Sequence, residues 1–160
     1  MRFRLALVAV VGMACAAAEH ATAADIQILA RCGPSTGQSY YFEGGIVGPG
    51  QGGWKPDGYA NGRITALLNE SEQVDIIFRD ADGTRSLLRD GMKVALTSFD
   101  EASLSFIVST YSNKVSGSYL FKMNKLGVGT VVWTESKALG SITRSSIMVA
   151  ECGPSYEIKP

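Results

Sequence analysis

Two octapeptides near the ends of the chain constrain its fold more than any other feature. Ile28-Leu29-Ala30-Arg31-Cys32-Gly33-Pro34-Ser35 is echoed by Met148-Val149-Ala150-Glu151-Cys152-Gly153-Pro154-Ser155, with five of eight positions identical and two more apolar in both. Each copy reads as a strand that stops at Gly-Pro, because proline has no N–H to give a ladder. Two like strands that both end in cysteine fit side by side. That placement sets the cysteines close and brings Arg31 toward Glu151. The echo extends no further, so a duplicated domain is not expected.

Whether those cysteines pair depends on the compartment. The chain opens Met1-Arg2-Phe3-Arg4, runs apolar from Leu5 to about Ala18, and reaches Ala21-Thr22-Ala23. A basic start, a short apolar stretch and a small-x-small site describe a secretory signal peptide over 1–23. The apolar run is shorter than the roughly 20 residues of a membrane span. Cys15 offers the alternative of a lipid anchor, although lipoprotein sites favour a larger aliphatic residue where this chain has Gly12. Cleavage after Ala23 leaves 24–160, enough for one domain with a real core. Cys32 and Cys152 then remain in an oxidising, periplasmic or secreted setting, where an even pair forms a disulfide. Closing a loop of about 120 residues stabilises by about 4–5 kcal/mol in the chain-entropy account.

Loss of the leader takes Arg2, Arg4 and Glu19 with it, leaving 13 basic and 14 acidic side chains. No run of like charge occurs, so nucleic acid is not an expected partner. No later apolar segment is long enough to span a membrane.

From residue 62 onward the chain alternates short strands and turns. Val74, Ile76 and Phe78 alternate with polar residues, as do Val115, Gly117, Tyr119, Phe121 and Met123. Asp80-Ala81-Asp82-Gly83, Asp90-Gly91, Asp100-Glu101 and Ser112-Asn113 punctuate the series. Ile64–Leu68, Thr84–Arg89, Lys93–Phe99, Leu104–Tyr111, Val128–Glu135 and Ile142–Cys152 read as further strands. No stretch keeps helical periodicity over three turns. The spacing predicts an all-β antiparallel meander, closed or nearly closed into a barrel, with a two-sheet sandwich as the alternative. The irregular stretch is 44–62, with eight glycines, Pro49, Pro56, Trp54 and Tyr59. Such a loop is either functional or a plug for one end of the barrel.

Several motifs are spelled without their context. Gly33-Pro34-Ser35-Thr36-Gly37 matches a nucleophile elbow, but a histidine base is needed and His20 lies in the leader. The same lack argues against His-ligated zinc and neutral-pH acid–base chemistry. Asp75, Asp80, Asp82 and Asp90 cluster around one turn region and leave carboxylate hydrolysis as a formal option. Asp80-Ala81-Asp82-Gly83 lacks the spacing of a calcium loop. Neither a cofactor nor a metal is expected.

Gly52-Gly53-Trp54 resembles the G-x-W start of lipocalins and avidins, but Lys55-Pro56-Asp57 departs from the apolar strand those families continue with. Their ligand sites are therefore not carried over. Cys32-Gly33-x-Ser35-x-Gly37-x-x-Tyr40-Tyr41-Phe42, the Gly-Trp loop, Tyr119-Leu120-Phe121-Lys122 and the final cysteine resemble small exported bacterial β-domain proteins. That resemblance implies no activity. The expectation is a non-catalytic binding module for a small molecule, glycan or protein, with Trp54, Tyr59, Tyr40 and Tyr41 as candidate contacts. The second reading is an inhibitor of an extracellular enzyme such as a lysozyme or protease. A carboxylate-based hydrolase is the third.

Overall fold

The structure, a computed structural model, describes residues 26–154 apart from 70, 72, 111 and 113, and Leu139 by its backbone alone. The segment over 1–23 that is expected to be a leader, with Cys15 and His20, lies outside the described residues, as does Ser155 of the second octapeptide.

Ten strands follow one another: β1 Gln27–Tyr41, β2 Gly53–Tyr59, β3 Arg63–Leu68, β4 Val74–Asp80, β5 Gly83–Ser86, β6 Met92–Phe99, β7 Ser103–Thr110, β8 Val115–Met123, β9 Gly129–Leu139 and β10 Ile142–Cys152. They form one antiparallel sheet in the order β5-β4-β3-β1-β10-β9-β8-β7-β6, with β2 beside β1. The sheet curls into a half-barrel. The first and last strands pair, as the octapeptides required, and Cys32 stands opposite Cys152 at disulfide distance. No ladder joins β5 to β6 among the described residues, although β4 approaches β6 there.

Two expectations fail for one reason, the length of β1. Gly33-Pro34 does not end the strand. The β1–β10 register shifts between Cys32 and Ser35, so that Gly33 and Pro34 together oppose Glu151. This bulge removes the need for the proline N–H, and the strand continues to Tyr41. Before the bulge, Arg31 stands across from Gly153, whose N–H donates to the Arg31 carbonyl at 2.9 Å. The second failure is the loop over 44–62. Its Gly53–Tyr59 stretch is β2, which pairs with the upper half of β1 from Ser35↔Tyr59 to Tyr41↔Gly53. The lower half of β1 pairs with β3. Two short strands thus share one edge of a long one. The expected strand over Thr84–Arg89 is also shorter, ending at Ser86 where the chain turns toward β6.

The core lies on the concave face. Ile64, Ala66, Ile76, Phe106, Phe121, Val131 and Met148 are all buried. Phe106 and Phe121 meet edge to face at 5.9 Å. Each of these side chains other than Ala66 stabilises by about 1.5–3 kcal/mol on leaving water. Gly37 lets β1 and β10 close up: a Cβ there would strike the Ile147 carbonyl oxygen and Met148.

Candidate functional site

Inward positions change character along each strand. On β10 they run Ala150, Met148, Ser146 and Arg144; on β9 they run Val131, Trp133, Glu135 and Lys137. On β1 they run Ser35, Gly37, Ser39 and Tyr41, each beside its β10 partner. The ladder therefore carries an apolar floor at the disulfide end into a polar rim at the other. There a cavity of about 270 Å³ opens, floored by Tyr59, Phe78, Tyr119 and Trp133 and edged by Asp80, Arg85, Asp90, Glu135 and Lys137. Concave, partly apolar sites with a few convergent polar groups are the usual form of a ligand pocket.

Trp133 organises the floor. Its ring stacks on Tyr119 at 5.9 Å and 14°, meets Phe78 at 5.8 Å and 71°, and meets Tyr59 at 5.8 Å and 40°. Its indole N–H donates to Ser35 Oγ at 3.2 Å, which fixes the ring across β10. Trp133 and Tyr119 are buried, whereas Tyr59 and Phe78 are half-buried and give the basin its accessible aromatic surface. Burial, with the nearby Glu135 charge, pushes the Tyr119 hydroxyl well above the ordinary tyrosine range, so it stays protonated.

Arg144 braces two of the lining residues, Tyr59 and Glu135. Its Nη1 lies 3.2 Å from Asp57 Oδ2, and its Nη2 donates to Tyr59 Oη at 3.3 Å and to Glu135 Oε1 at 3.5 Å. Burial opposes its charge. Hydrogen bonding with Tyr59 and Tyr41 and the charge of Glu135 outweigh that cost, so its pKa rises. Ser39 Oγ donates to Asp57 Oδ2 at 2.6 Å and lies 2.6 Å from Ser146 Oγ. On the facing wall Arg85 Nε sits 3.5 Å from Asp90 Oδ2.

The four aromatic candidates divide between the two faces of the sheet. Tyr59 lines the basin, and Tyr41 lies beside it with Lys55 Nζ 5.8 Å from its ring centroid. Tyr40 and Trp54 are cross-strand partners on the outer face, their rings 5.5 Å apart, with Phe42 5.0 Å from Tyr40. Trp54 is 60% exposed, so it plugs nothing. The acidic cluster is dispersed in role. Asp75 is buried and accepts the Ile76 and Leu88 N–H groups and the Ser86 hydroxyl. Asp80 accepts the Asp82 N–H, and Asp90 faces Arg85. Among the described residues no three His, Cys, Asp or Glu side chains gather in a metal-binding group.

Sequence reasoning passed over Trp133, Phe78, Glu135 and Arg144 as site residues. The signal available was the inward alternation of β8 and β9, which puts Tyr119 and Trp133 in register. Comparison with protein-family models, curated proteins and solved structures returns no match.

Proposed function

We propose that this chain is an exported, non-catalytic binding module that takes a small ligand into the basin at the polar end of its curled sheet. The observation that carries this reading is the four-ring floor of Tyr59, Phe78, Tyr119 and Trp133 beneath a rim of both charge signs. Export is supported by the leader sequence and by the paired cysteines. The same reading takes the sheet as a nearly closed barrel. The Leu87 N–H donates to Ile76 O and the Met92 N–H to Leu87 O, tying the start of β6 to β4 where the ladder is interrupted.

The test uses the two tryptophans. In a Trp54→Phe variant, Trp133 is the sole emitter. Titration with a library of small polar and aromatic fragments is expected to give saturable changes in Trp133 emission, and Tyr59→Ala is expected to remove them. Fragments that act on Trp54 in the wild type and never on Trp133 would contradict the basin.

A second reading, an inhibitor that docks by a loop, is favoured by a different observation. The β1–β2 connection carries Ile46 at 67% exposure, and Phe42 and Trp54, which flank the connection in sequence, are exposed as well. Gly50 N–H donates to Glu43 Oε1 at 2.8 Å and so gives that loop a defined shape. A stable complex with a lysozyme or protease, lost in Ile46→Asp and kept in Tyr59→Ala, would support this reading over the basin.

A further inference from the structure

Three concavities meet at Tyr59 and Asp80. The basin lies on one side. On the other, between the β2–β3 turn and the tip of the β4–β5 hairpin, a depression of about 260 Å³ is lined by Tyr59, Ala60, Asn61, Gly62 and Asp80–Asp82. Between them a cavity of about 10 Å³ is bordered by Tyr59, Phe78, Asp80 and Arg63. This smallest space suits a single oxygen atom. Arg63 borders this space, and its buried Nη1 has no hydrogen-bond partner among the described residues, a donor that gains by meeting an acceptor. Two depressions flanking one aromatic side chain suit a chain of similar units better than a single ring.

The charges bear on the chemistry of those units. Arg144 stands between Asp57 and Glu135, and Arg85 beside Asp90. With Lys137, Arg63, Arg79, Asp80 and Asp82 from the three concavities added, five cationic groups face five anionic ones. Such a rim offers many donors and acceptors and very little net field, so it gives an anion or a cation little reason to bind. An aliphatic chain would have to leave those polar groups dry. The ring faces of Tyr59 and Phe78 attract polarised C–H groups. Carbon–hydrogen faces, many hydroxyls and no charge describe one ligand class.

Building on the basin as the ligand site, we infer that the ligand is a neutral oligosaccharide. One sugar lies over Tyr59 and Phe78, and its neighbour crosses into the depression at Asn61 and Asp82. Hydroxyl groups of the chain meet the paired carboxylates and guanidinium groups.

The experiment is a glycan array carrying neutral and acidic oligosaccharides, probed with wild type, Tyr59→Ala, Tyr59→Phe and Trp54→Ala, each checked for an unchanged circular dichroism spectrum. The strongest neutral glycan is then titrated calorimetrically. The expected result is binding that weakens at least about tenfold in Tyr59→Ala, equivalent to about 1.4 kcal/mol. Tyr59→Phe keeps the ring and is expected to retain most of the affinity, and Trp54→Ala is expected to match wild type. Affinity is expected to change less than about twofold between low and about 0.5 M salt, because no net charge is neutralised. Binding confined to acidic glycans with steep salt dependence overturns the inference, and so does an array with no binding. If the array is silent while non-carbohydrate fragments still report through Trp133 and Tyr59, the glycan inference falls and the basin stands. If both are silent, both fall.

Discussion

Arg144 Nη1 on β10 lies 3.2 Å from Asp57 Oδ2 on β2, and β1 runs between the two strands that carry them. The pair reaches across β1 and holds a strand that, among the described residues, has only β1 as a ladder partner. Both side chains are largely shielded, at 19% and 20% exposure. Removing one partner leaves a poorly solvated charge. Arg144→Ala is expected to destabilise by about 2 kcal/mol, and the cycle with Asp57→Ala to show a coupling of about 1 kcal/mol. Urea unfolding of the four proteins measures both, and additive single effects would rule the clamp out.

Asp75 has a structural task that its turn-rich surroundings hide. Its two oxygens accept two backbone N–H groups and the Ser86 hydroxyl, and Ser86 Oγ in turn accepts the Arg89 N–H at 3.0 Å. This network fixes the turn between β5 and β6. Asp75→Ala orphans three donors in a buried place and is expected to cost about 2–4 kcal/mol. Thermal melts of this variant should fall well below those of Asp82→Ala, whose carboxylate is on an exposed turn; equal melting temperatures would show the network to be dispensable.

The β6–β7 turn is expected to be acid-sensitive. Asp100 accepts the Ser103 hydroxyl at 2.6 Å and the Ala102 and Ser103 N–H groups at 2.8 and 2.7 Å. The Ser103 side-chain bond, followed by the Ala102 backbone bond, holds its pKa below the ordinary value. A carboxylate with a depressed pKa stabilises the folded turn above its unfolded value and loses that effect as pH falls through the folded one. Carbon-13 NMR of the Asp100 carboxyl should give a midpoint below that of an unstructured peptide. Ser103→Ala is expected to raise it, and a midpoint unmoved by that change would remove the stated cause.

The terminal disulfide is expected to matter for stability more than for the site. Cys32 and Cys152 are 120 residues apart in sequence, and their pairing joins the first strand to the last. Replacing both by alanine is expected to cost up to about 4–5 kcal/mol. Mass spectrometry of the unreduced protein should give a mass two hydrogens lighter than the dithiol. Two thiols that alkylate freely in the native protein would exclude the bridge.

The strands after residue 62 were legible from their turn residues, and most sharply where a period-two pattern runs between turns, as in β8, whose bounds Val115 to Met123 were read as observed. The pairing of the ends was legible because two octapeptides carry the same residues. β2 was not, because Gly53, Pro56 and Gly58 are poor strand formers, and only β1 beside them holds them extended. The passage of β1 through Pro34 was hidden for a similar reason: a bulge is a property of the pair of strands. The lining of the candidate basin was legible only in part. Tyr59 and Tyr41 fell on the inner face and Tyr40 and Trp54 on the outer, a division set by register. Trp133 was hidden because one tryptophan in a β pattern does not say which other rings the curl of the sheet will bring to it.

Ligands are expected to enter the basin at Tyr59 and not the outer aromatic row at Trp54. Nitrogen-15 NMR with a fragment library, mapped residue by residue on the wild-type protein, tests it directly and needs no identified ligand. Shift changes gathered at Tyr59, Phe78, Asp80, Tyr119 and the Trp133 indole N–H are the predicted result. Changes gathered at Tyr40, Phe42, Ile46 and Trp54, with the Trp133 indole unmoved, would contradict it.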